Sequence, residues 1–220
     1  MALTIHDRPS GLMSADDLAA WRTIPAAIVS DELNRAQTMS GALKPLAHGM
    51  SFAAQALTVD TMVGDNGPLH HAVTVAWPGC VVVIDASGHT DTAVWGGILT
   101  AAAKAAGVVA VVVDGAVRDA AELRESEVAV YACAIVPRGP HKGFGGTINA
   151  PIQCAGAAVA PGDLLIGDDD GVVVVRPDQM DGLMERCQDR IAKEEETVKA
   201  IAAGKTTVEL LGIPAPEDIG

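Results

Sequence analysis

A mixed α/β fold in a single domain is what this sequence predicts, and three observations predict it. Two apolar, valine-rich runs, CVVVIDASG (80–88) and VVAVVVDG (108–115), flank an alanine-rich stretch, VWGGILTAAAKAAG, that ends at Gly107. Strand, helix, strand over so short a span is a βαβ unit, whose strands lie parallel and are covered on both faces. Apolar residues make up 49% of the chain and aromatic ones only 3%, so the core is built from Val, Ala, Ile and Leu, and valine runs favour strands. At 220 residues, one domain with a substantial core is expected over 1–220.

The elements follow in order. Residues 14–34 read as a helix with Ser14 as N-cap before ADDLAAW. Residues 41–63 read as strands with turns. GDNGPLHHAVTVA is a turn followed by a short helix that Pro78-Gly79 ends. The βαβ unit comes next, with Gly107 in the helix-ending position. Beyond it, YACAIVPRG and INAPIQCAGAAVAPGDLLIGDDDGVVVVRP read as short strands separated by Pro-Gly and Asp-Gly turns. A helix is expected from Gln179 to about Ala203, and an extended arm over about 204–220, after a core of about 14–203.

Composition and motifs exclude several functions. The formal net charge of −13 argues against a nucleic-acid partner, which needs a basic surface. Cys80, Cys133, Cys154 and Cys187 form no CxxC pair and read as buried free thiols of a reducing compartment. The N-terminal residues lack a basic region followed by an apolar one, and Lys104 and Asp114 interrupt the best membrane-spanning candidate. A cytoplasmic protein with no membrane partner is the expectation. P-loop, dinucleotide, nucleophile-elbow and HExxH signatures are absent, and the adjacent His70 and His71 cannot share a helix face.

The chemistry concentrates where the second apolar run ends, in DGAVRDAAELRE (114–125). Open α/β sheets bind ligands at the carboxyl ends of their strands, which places residues 85–97 and 115–125 on one rim. Asp119 and Glu122 resemble a capping box, and acids in a first helical turn suit the helix dipole. Arg118 fits that account poorly, because a cation there opposes the dipole; its planar fork is suited to gripping a carboxylate. Asp119, Glu122 and Glu125, spaced by three, offer hard oxygens along one helix face for Mg²⁺ or a similar cation. On the same rim, Gly96 and Gly97 open a helix whose first N–H groups would be free for an anion. Arg138, His141 and Lys142 lie among glycines and would suit a second anionic group, although a solvated turn is the simpler reading. Asp168, Asp169 and Asp170 read as a hairpin turn rather than a metal site. No lysine is placed to make a Schiff base on this rim, Lys104 lying mid-helix, so any activity here is expected to need a divalent cation. In the last long helix Met184, Cys187, Ile191, Val198 and Ile201 form an apolar stripe that Glu194 interrupts.

GDNGPLHHAV, PGCVVVIDASG, WGGILTAAAKAAGVVAVVVDGAVRD, PRGPHKGFGGTINAPIQCAG and PGDLLIGDDDGVVVV together resemble the RraA-like family, over about residues 14–203. That family includes the regulator of ribonuclease activity A and the class II 4-hydroxy-4-methyl-2-oxoglutarate/4-carboxy-4-hydroxy-2-oxoadipate aldolases. Its most specific element is a glycine, twenty residues, Arg-Asp, then two acids at intervals of three: here Gly97, Arg118, Asp119, Glu122 and Glu125. The resemblance implies a β/β/α swivelling-domain core and homotrimers or hexamers with active sites between subunits. It implies that Arg118 binds the pyruvyl end and stabilises its enolate. Asp119 would ligate Mg²⁺, Mn²⁺ or another divalent cation, with Glu122 and Glu125 in the water shell of that ion. The N–H groups of Ile98 and Leu99, behind Gly96 and Gly97, would hold the carboxylate of a 2-oxo acid. Glu194 would reach a neighbouring subunit's site. The implied activity is aldol cleavage of a 4-hydroxy-2-oxo acid to pyruvate, with oxaloacetate decarboxylation at the same site. The alternative it carries is a non-catalytic regulator of an endoribonuclease.

Overall fold

A computed structural model describes residues 2–217. Its elements in chain order are β1 (Leu3–Ile5), α1 (Ala15–Trp21), α2 (Ala26–Glu32), β2 (Lys44–Pro45), β3 (Phe52–Thr61) and α3 (Gly67–Val75). Then follow β4 (Cys80–Trp95), α4 (Gly97–Ala105), β5 (Ala110–Val117), α5 (Ala120–Arg124), β6 (Ala129–Ile135), β7 (Gly146–Ile148), β8 (Ile152–Cys154) and β9 (Ala157–Val159). The chain closes with β10 (Leu164–Asp168), β11 (Gly171–Val175), α6 (Leu183–Ala202) and α7 (Thr207–Leu211).

The centre is a parallel sheet, β3-β4-β5-β6, with β2 antiparallel beyond β6. The outer edge of β3 is divided. β10 pairs antiparallel with Phe52–Gln55, and β7 pairs antiparallel with Val59–Thr61. Strand alternation sends each valine run both ways. Val82, Ile84, Val111 and Val113 pack with Leu69, Leu99 and Leu123 on the helical face. Val81, Val83, Val112 and Tyr131 pack with Phe52, Cys154, Leu165 and Val174 on the other. Each such fully buried aliphatic side chain contributes about 1.5–3 kcal/mol. A third cluster joins Trp21, Val29, Leu183 and Cys187 to Ile166, Val173 and Val175, so α1, α2 and α6 cover the β10–β11 hairpin. Strand layer, sheet and helices make the β/β/α arrangement, with the expected βαβ unit parallel at its centre.

The single helix expected over 14–34 is two. Ser14 caps α1 in a capping box with Asp17, but Pro25 lacks the N–H a continuing helix needs and starts α2 instead. The first apolar run does not stop near Gly88. β4 continues to Trp95 through register shifts, with Ser87 and Gly88 at positive φ absorbing the irregularity. The long C-terminal helix begins at Leu183, behind a 3-10 turn at Pro177–Gln179. The arm is not wholly extended, because Thr206 and Glu209 form a capping box that opens α7. The free thiols stand as expected, Cys133 being half-buried and the other three buried; burial pushes Cys80, Cys133 and Cys187 up to about 11. Among the described residues no helix is long and apolar enough to cross a membrane.

Candidate functional site

The bulged end of β4 and the end of β5 deliver their loops to one place. Trp95 pairs in register with Val117, and the Arg118 amide donates to Trp95 O at 3.0 Å. The buried Trp95 indole donates to Thr100 Oγ1 at 2.7 Å, and that hydroxyl donates to Gly96 O at 3.1 Å. These bonds fix the turn from which α4 starts. The Ile98 and Leu99 N–H groups lie in its first turn, where a helix offers no acceptor of its own. The capping-box reading of Asp119 fails here. Its side chain makes no cap bond to α5. Instead its Oδ2 accepts from the Gly97 N–H of α4 at 2.9 Å. Asp119 sits in the left-handed region at φ 59, a conformation that costs a non-glycine residue energy and clusters at functional sites.

Three glycines make room for the charged groups. A Cβ on Gly96 would stand 2.6 Å from Asp119 Oδ2 and 3.0 Å from Arg118 Cγ. On Gly97 it would stand 2.2 Å from Glu122 Oε2, and on Gly139 it would stand 2.5 Å from Arg118 Nη1. The carboxylates of Asp119 and Glu122 therefore both lie against the start of α4, where the dipole favours negative charge. Arg118 Nε is 3.6 Å from Asp119 Oδ2, and both side chains stay partly open to solvent.

A small cavity of about 60 Å³ opens beside this cluster, lined among others by Asn66, His70, Gly96, Leu99, Arg118 and Asp119. Ile98 and Lys142 also line it, Ile98 being largely exposed at the mouth. That volume suits a carboxylate or short acid and is far below that of a drug-sized ligand pocket. Two buried polar atoms on its wall have no protein partner: Asn66 Oδ1 and His70 Nε2. The Asn66 amide donates to Val94 O at 3.1 Å, which fixes its orientation. Burial first, then Lys142 and His71, lower the His70 pKa, which favours the neutral ring. A larger groove of about 480 Å³ lies at the opposite ends of the strands, near Leu18, Phe52, Lys104 and Val109. None of the orphaned buried polar atoms among the described residues lines it.

The structure thus brings together Gly96, Gly97, Ile98, Leu99, Arg118, Asp119 and Glu122. Glu125 caps the far end of α5, outside the cavity lining. Glu194 is also elsewhere: in this one chain its side chain is 55% exposed and 3.3 Å from Arg190 Nε. Of the three residues suited to a second anionic group, Lys142 lines the cavity while Arg138 and His141 do not. Asn66, His70 and Gly139 were not legible as site residues, because only the tertiary fold shows which polar atoms lack partners.

Among the described residues no group of three or more His, Cys, Asp or Glu side chains is placed to hold a metal ion. Two hard carboxylates remain at the cluster, Asp119 and Glu122. That set fits a cation of the Mg²⁺ kind, which keeps several waters and binds through one or two carboxylates together with substrate oxygens.

The sequence profile of the RraA-like family, described as aldolase/RraA, matches residues 26–174. A Halalkalibacterium halodurans protein provisionally named 4-hydroxy-4-methyl-2-oxoglutarate aldolase is 33% identical over 187 residues, 85% of this chain and 89% of that protein. The structure of the RNA-processing inhibitor RraA from Thermus thermophilis is 30% identical with a TM-score of 0.63, covering 69% of this chain and 92% of that one. Streptomyces coelicolor RraAS2, described as an unusual member of the RNase ES inhibitor RraA family, is 25% identical with a TM-score of 0.77, covering 85% and 98%.

Proposed function

This chain belongs to the RraA-like family, and from that premise we propose that it is a divalent-cation-dependent carbon–carbon lyase acting on 2-oxo acids. The reaction is cleavage of a 4-hydroxy-2-oxo acid to pyruvate and a second oxo acid, with decarboxylation of oxaloacetate at the same site. The observation that carries this reading is the meeting of Arg118, Asp119 and the open start of α4 at one small cavity. The N–H groups of Ile98 and Leu99 take the substrate carboxylate. Arg118 grips the 2-oxo oxygen and stabilises the enolate as charge develops there. Asp119 and Glu122 hold the cation, which when bound supplies Lewis-acid polarisation of the 2-oxo group. Asn66 Oδ1, neutral His70 and Lys142 face the other end of the substrate and suit its hydroxyl and distal acid group.

In the cleavage, a water held by an acid removes the proton of the C4 hydroxyl. The C4–O bond becomes a carbonyl, the C3–C4 bond breaks, and its electron pair forms the pyruvate enolate. That enolate is then protonated at C3. Oxaloacetate loses carbon dioxide to give the same enolate. Base assistance is worth about 10²–10⁴ in rate, and stabilisation of the enolate supplies much of the remainder. Glu194 acts in a neighbouring subunit's cavity, so the working form is a homo-oligomer, and the family resemblance favours a trimer or hexamer.

A second reading is favoured by the likeness to the Thermus inhibitor: a regulator that binds an endoribonuclease through its acidic surface. Release of pyruvate from oxaloacetate and from 4-hydroxy-4-methyl-2-oxoglutarate separates the two. Chelation is expected to abolish it and Mg²⁺ or Mn²⁺ to restore it. Full turnover after exhaustive chelation sinks the cation-dependent reading. Borohydride trapping of substrate would then point to Lys142, although its exposure leaves it without the desolvation that activates a Schiff-base lysine. No turnover on either substrate, with binding to an endoribonuclease, favours the regulator.

A further inference from the structure

We infer that Asp65 is a positioning residue for the cavity: its buried carboxylate holds segment 136–145, and with it Lys142 and Gly139, against the site. The inference deepens the 2-oxo acid reading and rests on it for its ligand arm. Asp65 is 0% exposed. A carboxylate removed from water is strongly unfavourable unless its oxygens find donors. No cationic side chain among the described residues lies within ion-pair distance of it. Backbone N–H groups are its partners instead. Oδ1 accepts from Gly67 at 2.9 Å, and Oδ2 accepts from Gly143 at 2.8 Å and Phe144 at 3.3 Å. One oxygen is thus tied to the start of α3 and the other to a segment 78 residues away.

Among the described residues, Asp65 supplies the side-chain hydrogen bonds to that segment. The segment joins β6 to β7 without helix or strand and carries Gly139, Gly143 and Gly145, each costly in chain entropy to fix. Its first half is tied to β4 and β5, where Ala93 N donates to Arg138 O at 2.9 Å and Val136 N donates to Val117 O at 3.0 Å; beside Asp65, His141 N donates to Gly64 O at 2.8 Å and Asn66 N donates to His141 O at 3.0 Å. Two of its residues meet the site. Lys142 lines the cavity, and Gly139 is the surface against which the Arg118 guanidinium packs. Asp65 touches neither Arg118 nor the cavity, so it acts through the segment. Asparagine is no substitute. Both oxygens accept from amides, so an NH₂ in either place sets a donor against a donor.

The test is Asp65→Asn, read by hydrogen exchange and by binding of pyruvate and of 2-oxoglutarate, whose second carboxylate reaches toward Lys142. We expect amides of 139–145 to exchange at least about tenfold faster, with core strands unchanged. Affinity for 2-oxoglutarate should fall more than affinity for pyruvate; a fold that is merely destabilised would weaken both alike. Gly143→Pro removes one of the same donors from the exposed side, where an added Cβ meets nothing within 4 Å. It should reproduce both effects, and it carries the test if Asp65→Asn does not fold. Unchanged exchange in the segment, or equal weakening of the two ligands in both variants, overturns the inference. If the wild type binds neither ligand, the 2-oxo acid reading falls, and hydrogen exchange alone decides whether Asp65 holds the segment.

Discussion

Arg118 is a cation placed to be used. Its backbone is locked to Trp95, its guanidinium rests on Gly139, and its single carboxylate neighbour, Asp119, is 3.6 Å away. An exposed pair at that distance contributes little to stability, so the position reads as a binding group. Lysine keeps the charge and loses the planar fork. Arg118→Lys should therefore lower kcat/KM by at least about 10²-fold, the loss seen when one oxyanion donor is removed, with thermal stability nearly unchanged. Steady-state kinetics alongside a melting curve decide it: near-normal kcat/KM removes the enolate role, and an unfolded variant makes the arginine structural.

Among the elements, α4 has a start that another segment finishes. Its N-cap residue is Gly96, which has no side chain to cap with, and Asp119 supplies the acceptor from the head of α5. In the proposed reading cap and cation ligand are one carboxylate, and Asp119→Ala separates the roles. Loss of the cap alone should cost about 1 kcal/mol of stability. Loss of a cation ligand should also abolish turnover and erase the rise in Tm that Mg²⁺ produces. A lower Tm with an intact Mg²⁺ response returns Asp119 to capping only. The βαβ unit, Ser14 as a cap, the Gly107 stop and the turn at 169–170 were all legible in sequence, because each is dictated by residues close together in the chain. The break at Pro25 was legible in principle, since proline cannot continue a helix. The run of β4 through Ser87 and Gly88 was not, because pairing with β5 overrides two residues that locally favour a turn. Arg118, Asp119 and the glycine pair were legible from spacing. What Asp119 actually caps was hidden, because the partner N–H lies 22 residues away.

At the scale of the whole molecule, the cavity uses one end of the sheet, while Glu194 stands on α6 beside Pro25, Ile28, Ile191 and Val198. The stripe on that helix is buried at Cys187 and emerges by Val198, which is 64% exposed. If Glu194 serves a neighbour, mixing inactive Arg118→Ala subunits with inactive Glu194→Ala subunits and allowing exchange should restore part of the activity. Some interfaces would then pair an intact Arg118 with an intact Glu194. No recovery in a demonstrably mixed assembly means that each subunit uses its own residues or that Glu194 is not involved. The divided outer edge of β3 bears on synthesis instead of chemistry. β3 ends at Thr61, yet the strands that cover its edge, β7 and β10, are complete only at residue 168. A chain emerging from the ribosome must carry that apolar strand with unpaired backbone groups along one side until synthesis has passed residue 168. Uncovered strand edges recruit other chains. A stalled or clipped product that ends before Leu164 would thus be prone to aggregate, however sound the pocket it had already formed.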